Sequence, residues 1–327
     1  MVRRHVSGIV VILVALSCLA QEKKQGRIDR HDPALDRIVT RDATFKVTEA
    51  PPRIEGPVWI EDGGYLLFSD LSAGTILKWN PEDERVTTFL EQTNANGITL
   101  DSDGRLVWAA HGDMMGPPSG QVIRLEKDGS RTLIVEGYLG RPLNATNDLV
   151  FKSNGTLYIT DPGRAQIRED LPTVYPDQPR VLMLKGSKLS LLALPRDLNR
   201  PNGLAFSPDE KYLYMASTAQ MTVWRFDVMP DDTIENGRIF IHMDPDKKVT
   251  HGSGHPDGIK VDEQGNVYCA GPGGVWVLSP EGKHLGTIAV GRATNLAFGG
   301  SDKKLLFITA RTGLFRLPVE IAGIGPP

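Results

Sequence analysis

The sequence predicts an all-β protein, and more narrowly a six-bladed β-propeller, from three observations. A short apolar strand that opens with a polar residue recurs six times, each copy continues through a Gly, Asp or Asn turn into further strands, and helical patterning is nearly absent. The six openings are Glu55, Asn96, Asn147, Asn202, Asp257 and Thr294, which lie 41, 51, 55, 55 and 37 residues apart. Antiparallel repeats of about 40 to 55 residues have the size of propeller blades.

Each copy is predicted to be a β-meander of three strands joined by turn residues such as Asp103-Gly104. The predicted second strands are 66–69, 106–109, 157–160, 213–216, 267–270 and 305–308. The predicted third strands are 75–79, 121–125, 180–184, 222–226, 274–278 and 313–317. Residues 44–48 precede the first copy and are predicted to add the outer strand to the blade that begins at Thr294, which would close the ring. A short helical turn is predicted at 33–39.

Composition excludes several classes of function. The 327 residues include 37 Lys and Arg against 40 Asp and Glu, for a net charge of −3, and no basic run stands out. This argues against a nucleic-acid partner and is compatible with a small neutral or anionic ligand. Beyond Cys18 the chain has only Cys269, so we expect no intramolecular disulfide in the mature chain and no thiolate metal cluster.

The N-terminus resembles a secretory signal peptide. Arg3, Arg4 and His5 precede an apolar run at 8–16 that is short for a membrane span, and small residues follow it. The predicted organisation is a signal at 1–20, a lead-in segment at 21–43 and a propeller domain at 44–320. We therefore expect an exported protein, periplasmic or extracellular, with no transmembrane span in its mature form. A retained N-terminal anchor and lipidation at Cys18 are the alternatives.

The six opening residues predict a metal site. The first strand of each propeller blade lines the central channel, so these side chains are expected to point to one axial mouth. They supply two carboxylates, three carboxamides and one hydroxyl. Such oxygen donors suit a hard divalent cation, and two carboxylates would balance its charge. The alternative interpretation is that Asn-Gly and Asp-Gly pairs are ordinary turn formers.

The ordered set of motifs resembles a known family. The motifs are 54–59 (IEGPVW), 67–70 (LFSD), 147–148 (ND), 157–162 (LYITDP), 200–209 (RPNGLAFSPD), 256–262 (PDGIKVD) and 271–276 (GPGGVW). From about residue 31 to 317, the sequence is similar to the family of regucalcin (senescence marker protein), gluconolactonase and luciferin-regenerating enzyme. Members are six-bladed propellers that bind one divalent metal in the axial channel. The later motifs, with 309–316 (TARTGLFR), look like the bacterial gluconolactonase branch.

The resemblance implies a role for each matching position. Glu55, Asn202 and Asp257 would be metal ligands, and Asn147 would be a further ligand or would hold the substrate over the metal. Asp257 would also be the proton acceptor. The cation would be Ca²⁺ first, with Mg²⁺, Mn²⁺ or Zn²⁺ as alternatives. It would polarise the lactone carbonyl while a carboxylate or a metal-bound hydroxide delivers water.

Two segments depart from the family pattern on the substrate side. Residues 110–115 read AHGDMM, where the family usually has a Glu before the histidine and an Arg after it. Ala145-Thr146 replaces the Ser-Pro that commonly precedes the third-blade Asn. Asn96 and His111 are expected to bind substrate, although His111 has a structural loop role as its alternative. The segments 162–179 and 229–255 are either parts of the rim or surface excursions.

The expected function is an exported, metal-dependent hydrolase of carboxylic esters that opens a sugar lactone, in the manner of gluconolactonase acting on D-glucono-1,5-lactone. The expected partner is the small-molecule lactone itself. One alternative is a propeller hydrolase of another lactone or ester. The other is a non-catalytic binding propeller that uses its metal for rigidity, because propellers serve many functions.

Overall fold

The computed structural model describes residues 26–111, 119–163, 179–244 and 254–327. The N-terminal segment forms β1 (Arg27–Arg30), a 3₁₀ helix (Pro33–Arg37) and β2 (Lys46–Thr48). Blade 1 contains β3 (Ile54–Ile60), a 3₁₀ turn (Glu61–Gly63), β4 (Tyr65–Asp70), β5 (Thr75–Trp79) and β6 (Val86–Leu90). Blade 2 contains β7 (Ala95–Leu100), β8 (Leu106–Ala110), β9 (Gln121–Leu125) and β10 (Arg131–Val135).

A two-stranded hairpin, β11 (Gly137–Tyr138) and β12 (Arg141–Pro142), leads to blade 3. That blade contains β13 (Leu149–Phe151), β14 (Leu157–Asp161), β15 (Arg180–Lys185) and β16 (Lys188–Leu191). Blade 4 contains β17 (Pro201–Phe206), β18 (Tyr212–Ser217), β19 (Thr222–Val228) and β20 (Ile234–His242). Blade 5 contains β21 (Ile259–Val261), β22 (Val267–Gly271), β23 (Gly274–Leu278) and β24 (His284–Ala289), and blade 6 contains β25 (Ala293–Gly299), β26 (Leu305–Ala310) and β27 (Gly313–Pro318).

The six blades form a closed ring. Their inner strands contact one another in the order β3, β7, β13, β17, β21 and β25, and β25 returns to β3. Within each blade the strands pair antiparallel in chain order. The ring confirms the predicted six-bladed β-propeller.

The N-terminal segment completes two blades. β2 pairs with β27 and places Val47 opposite Phe315, so it supplies the fourth strand of blade 6, as the sequence predicts. β1 pairs with β24 and places Ile28 opposite Ile288, which makes blade 5 five-stranded. The N-terminal segment therefore supplies the outermost strands of blades 5 and 6, which are otherwise formed by the C-terminal part of the chain.

The prediction of three strands per blade was incomplete for blades 1 to 5, because each of them has a fourth, outer strand. In β6 three of the five residues are exposed, whereas in β24, which β1 covers, four of the six residues are buried. β20 lies within the segment 229–255, so part of that segment is blade structure. Residues 164–178 and 245–253, the remainder of the two predicted insertions, are outside the described ranges. None of the helices in those ranges is long and apolar enough to cross a membrane.

The hydrophobic core is divided among the wedges between blades. Phe307 of blade 6 packs against Trp59 and Trp79 of blade 1, with ring centroids 5.5 and 5.4 Å apart. Tyr158 of blade 3 meets Phe206 of blade 4 edge to face at 5.1 Å. Burial between neighbouring blades allows a chain of this length to fold without one large central core.

Candidate functional site

The six opening residues gather at one end of the channel. Glu55, Asn96, Asn202 and Thr294 lie at the second position of their inner strands, and Asn147 and Asp257 lie two residues before theirs. Glu55 and Asp257 are each 7% exposed and Asn202 is 8% exposed. The structure therefore brings the predicted site residues together at the channel mouth.

Backbone contacts between neighbouring blades fix this ring. The Gly97 amide donates to the Asn147 carbonyl oxygen at 2.8 Å, and the Gly203 amide donates to the Asp257 carbonyl oxygen at 3.2 Å. A Cβ on Gly97 would lie 2.4 Å from Asp148 Oδ1, and one on Gly203 would lie 2.3 Å from the Asp257 carbonyl oxygen. Glycine is thus required for the close approach of the inner strands, which explains the repeated Asn-Gly and Asp-Gly pairs.

The two carboxylates of the ring act on each other electrostatically. Burial raises the pKa of Glu55 well above its usual value, and the nearby Asp257 carboxylate raises it further, against the Gly56 amide that donates to Glu55 Oε2 at 2.9 Å. The Asp257 carboxylate contacts His255, whose Nε2 lies 3.3 Å from Asp257 Oδ2. Acidic groups that repel each other in a buried mouth favour a bound cation.

The carboxamides offer oxygen atoms to such a cation. Asn202 Nδ2 donates to Thr218 Oγ1 at 3.2 Å, and that hydroxyl donates to the Pro256 carbonyl oxygen at 2.9 Å. This arrangement holds the Asn202 amide by its nitrogen and leaves its oxygen as the available ligand. The described hydrogen bonds of Asn147 are made by its backbone, with its amide donating to the Thr160 carbonyl oxygen at 2.9 Å.

The donor set fits a hard divalent cation. Within the described ranges, no group of three or more His, Cys, Asp or Glu side chains is placed to hold a metal ion. A metal at this mouth would therefore depend on both Glu55 and Asp257 together with asparagine oxygens, chiefly those of Asn202 and Asn147. Carboxylate and carboxamide oxygens are the ligands that Ca²⁺ and Mg²⁺ prefer.

Asn96 and His111 lie side by side at the mouth. Asn96 Nδ2 is 3.3 Å from His111 Nδ1, which is also 3.1 Å from the Thr146 carbonyl oxygen. The predicted substrate-binding pair is thus brought together, next to the Ala145-Thr146 departure from the family pattern. Residues 112–115, the rest of the other departure, are outside the described ranges.

Thr294 differs from the other five opening residues. Its hydroxyl contacts the Ile54 carbonyl oxygen at 2.8 Å and the Thr309 hydroxyl and carbonyl oxygens at 2.9 and 3.1 Å. The hydroxyl therefore links blade 6 to blade 1 and does not face the mouth as an available ligand. The sequence pattern could not distinguish this role, because it shows only that the position is polar.

Sequence reasoning missed two polar residues, Asp148 and Asn295, each of which directly follows an opening residue. Asp148 is 3% exposed, its Oδ1 accepts the Leu149 amide at 2.8 Å, and no hydrogen-bond partner reaches its Oδ2 within the described residues. Burial raises the pKa of Asp148, although the Lys260 charge opposes this. The Asn295 side chain favours the ionised forms of both Asp148 and Glu55. The available signal was the departure from glycine after the opening residue, Asn147-Asp148 and Thr294-Asn295 in place of the Asn-Gly or Asp-Gly of other blades.

A cavity of about 530 Å³ lies at the opposite end of the channel. Its lining comes from later positions of the inner strands, such as Val58, Ile98 and Leu204, with Lys260 and the C-terminal residues 323–327. None of the six opening residues lines it. The cavity is therefore separate from the candidate site at the mouth.

Comparison with known proteins agrees with the ring and its motifs. The family model described as SMP-30/Gluconolactonase/LRE-like region matches residues 54–312. A gluconolactonase of Zymomonas mobilis is 29% identical over 91% of this chain and 87% of its own length. A regucalcin of Xenopus laevis is 26% identical over 78% of this chain and 82% of its own length.

Solved structures give the same result. The structure of a gluconolactonase from Xanthomonas campestris is similar with a TM-score of 0.75 and 31% identity, covering 89% of this chain and 94% of the other. A calcium-binding regucalcin from Agrobacterium tumefaciens, at 20% identity and a TM-score of 0.66, covers 85% of this chain and 93% of the other and shares the fold. The chain belongs to the SMP-30/gluconolactonase/LRE-like family.

Proposed function

We propose that the protein is a metal-dependent lactonase that opens a sugar lactone, with D-glucono-1,5-lactone as the expected substrate. The observation that carries the proposal is the buried pair Glu55 and Asp257 among amide oxygens at the channel mouth. The gluconolactonase relatives at 29% and 31% identity support the reaction class. A relative from Staphylococcus epidermidis at 27% identity is named a lactonase, and one from Haloferax volcanii at 24% identity is named a pentonolactonase, so similar proteins carry the names of different lactones.

Four residues of the ring would hold the cation: Glu55, Asn202 and Asp257, with Asn147 beside them. When bound, the ion would supply Lewis acidity to the lactone carbonyl. The calcium-binding regucalcin of similar fold makes Ca²⁺ the first ion to test. The cofactor is thus proposed from the donor set and from this likeness.

The remaining steps follow from the chain's own side chains. Asn96 and His111 would orient the sugar hydroxyls, and Asp257 would accept a proton from the attacking water. The water oxygen bonds to the carbonyl carbon, the ester C–O bond breaks, and the departing ring oxygen takes up the proton that Asp257 accepted from water, which gives the open hydroxy acid and restores the carboxylate. The contact between His255 Nε2 and Asp257 Oδ2 would hold the carboxylate in position during this transfer.

The test is lactone opening measured in a pH-stat against the uncatalysed background. Activity should disappear after chelation and return with one of Ca²⁺, Mg²⁺, Mn²⁺ or Zn²⁺. The site variants Glu55→Gln and Asp257→Asn should lose most of this activity. Their control is Asp227→Asn, which changes a carboxylate on blade 4 that pairs with Arg238 and should leave activity unchanged. Undiminished activity after complete metal removal would overturn the mechanism, and metal binding without turnover of any lactone in a panel would favour a non-catalytic propeller.

We also propose that the protein is exported, from the signal-like sequence at 1–20. These residues lie outside the described ranges. Fractionation of the producing cells followed by mass measurement of the mature N-terminus tests this. A chain that retains residue 1 in the cytoplasm would contradict it, and a lipid mass on Cys18 would establish the anchored alternative.

A further inference from the structure

Three arginines lie together on the side of the mouth formed by blades 6 and 1. Arg53 and Arg292 each come two residues before an opening residue, Glu55 and Thr294 respectively. The Arg311 amide donates to the Arg292 carbonyl oxygen at 3.1 Å, next to the pair that Ala310 forms with Ala293. Inner strands run away from the mouth, so the residues that precede them lie on the mouth side. We call Arg53, Arg292 and Arg311 the arginine rim.

The charges of the arginine rim act on one another. Burial lowers the pKa of Arg311, and the neighbouring Arg292 and Arg53 charges lower it further. Within the described residues, no salt bridge is found at Arg292 or Arg311. Elsewhere, Arg105 and Arg124 on blade 2 each have a carboxylate within 3 Å. Arg292 and Arg311 therefore concentrate positive charge that no carboxylate among the described residues pairs with.

The channel carboxylates do not account for this charge. A divalent cation held by Glu55 and Asp257 would be balanced by those two groups. The charges of Arg292 and Arg311 then remain for a ligand that enters the mouth. Guanidinium groups bind carboxylate and phosphate oxygens through paired N–H donors, so the matching ligand is an anion.

We propose that the arginine rim selects a sugar lactone that carries an anionic substituent, either a carboxylate or a phosphate. The inference rests on the proposed function and narrows its substrate class. The lactone carbonyl lies at the ring of opening residues, while the substituent reaches the blade 6 and blade 1 side of the mouth. Positive charge at the mouth also accelerates the encounter with an anionic substrate.

The test compares kcat/KM for 6-phosphoglucono-1,5-lactone, glucaro-1,4-lactone and neutral glucono-1,5-lactone in the metal-loaded enzyme. At least one anionic lactone should be preferred, and the preference should weaken as ionic strength rises. Arg292→Gln and Arg311→Gln should each lower the ratio of anionic to neutral kcat/KM about five- to tenfold, as expected for a partly exposed charged hydrogen bond. Arg238→Gln, an arginine that pairs with Asp227 on the outer part of blade 4, is the matched control and should leave the ratio unchanged.

The phosphate and carboxylate arms distinguish the two sources of charge. A neutral lactone preferred over both anions, or a ratio that neither rim variant changes, would overturn the inference while leaving the lactonase proposal intact.

If no lactone is opened, calorimetry of 6-phosphogluconate against neutral glucose gives an independent measurement. Binding that the rim variants weaken would support the arginine rim although the proposed function had failed. No binding at millimolar 6-phosphogluconate would overturn the rim as well.

Discussion

Asp232 and Glu55 are both carboxylates buried in this propeller, but their surroundings are opposite. Asp232 is fully buried, with Lys152 Nζ 2.5 Å and Lys185 Nζ 2.7 Å from its two oxygens. Burial alone would raise the pKa of Asp232, but hydrogen bonds from these lysines, Asn154 and Thr156 outweigh it and hold the pKa far below its usual value.

Glu55 receives the Gly56 amide and has acidic neighbours, Asp257 foremost. The chain thus neutralises the buried carboxylate of Asp232 with its own lysines, whereas it leaves the negative charge at Glu55 for a ligand. Asp232 lies in the loop between β19 and β20 of blade 4, and this loop packs against blade 3, where Tyr158 Oη donates to the Asp232 carbonyl oxygen at 2.5 Å. Asp232 therefore stabilises the fold, whereas Glu55 belongs to a site.

The largest effect is expected from Glu55→Gln and Asp257→Asn. Each should reduce lactone opening by about a hundredfold or more, the scale of losing an electrostatic group in a catalytic site. Neither should lower the Tm of the metal-free protein, because each removes one of two repelling charges. Steady-state kinetics and calorimetric melting measure both quantities on the same sample. A Tm that falls together with activity would contradict this and would show that these carboxylates stabilise the fold, as Asp232 does.

Asp232→Asn should produce the opposite result. Removing one partner of a buried ion pair costs about 3 to 5 kcal/mol, so the unfolding free energy should fall by that amount. The folded fraction should keep its kcat, since Asp232 lies outside the ring of opening residues. Denaturant unfolding gives the free energy, and Asp227→Asn is the control on the same blade. A drop in kcat without loss of stability would contradict the structural role.

The pH dependence of these variants should have opposite signs. The folded-state pKa of Asp232 is lowered from 3.8, so the stability gap between wild type and Asp232→Asn is present above that pH and closes as pH falls through the folded pKa. The folded-state pKa of Glu55 is raised from 4.5, so metal-free wild type loses stability relative to Glu55→Gln as pH rises above that value. Denaturant unfolding of chelated protein from pH 8 down to the lowest pH at which it stays folded checks both trends, since the Asp232 gap begins to close only below pH 3.8. Parallel curves for the two variants would refute the contrast.

Thr294→Val should have the smallest effect on function. It tests whether Thr294, although one of the six opening residues, stabilises the fold and does not bind the metal. Loss of the hydroxyl contacts with Ile54 and Thr309 should cost about 1 to 3 kcal/mol. Metal affinity, measured by calorimetry, should stay within about twofold of wild type, because the hydroxyl is already used between blades. Asn202→Ala is the matched comparison and should weaken metal binding far more. Equal losses in both variants would show that Thr294 is a ligand.

Much of the fold could be predicted from the sequence because each blade repeats its own turn chemistry. Segments such as Asp103-Gly104 and Asn154-Gly155 mark hairpins locally, and the structure has strands on either side of each. The fourth strands could not be predicted in the same way. β6 exposes most of its residues, so its pairing depends on β5 and leaves no clear apolar pattern.

The candidate site was predictable only to the extent that each blade carries one member. The opening residues share a position in the repeat, and the structure places them together at the mouth. Asp148 and the arginine rim acquire meaning from neighbours far away in the sequence, such as Arg53 beside Arg311. Thr294 was grouped with ligands for the converse reason, since its partner Ile54 lies 240 positions away.

We propose above that Glu55 and Asp257, with asparagine oxygens, hold one divalent cation on which lactone opening depends. The most direct measurement is a titration of chelated protein with Ca²⁺, in which bound metal and lactone turnover are followed together. We expect one ion per chain, activity that rises in proportion to occupancy, and neither binding nor activity in the Glu55→Gln/Asp257→Asn double variant. Full activity at zero occupancy, or unchanged stoichiometry in the double variant, would contradict it.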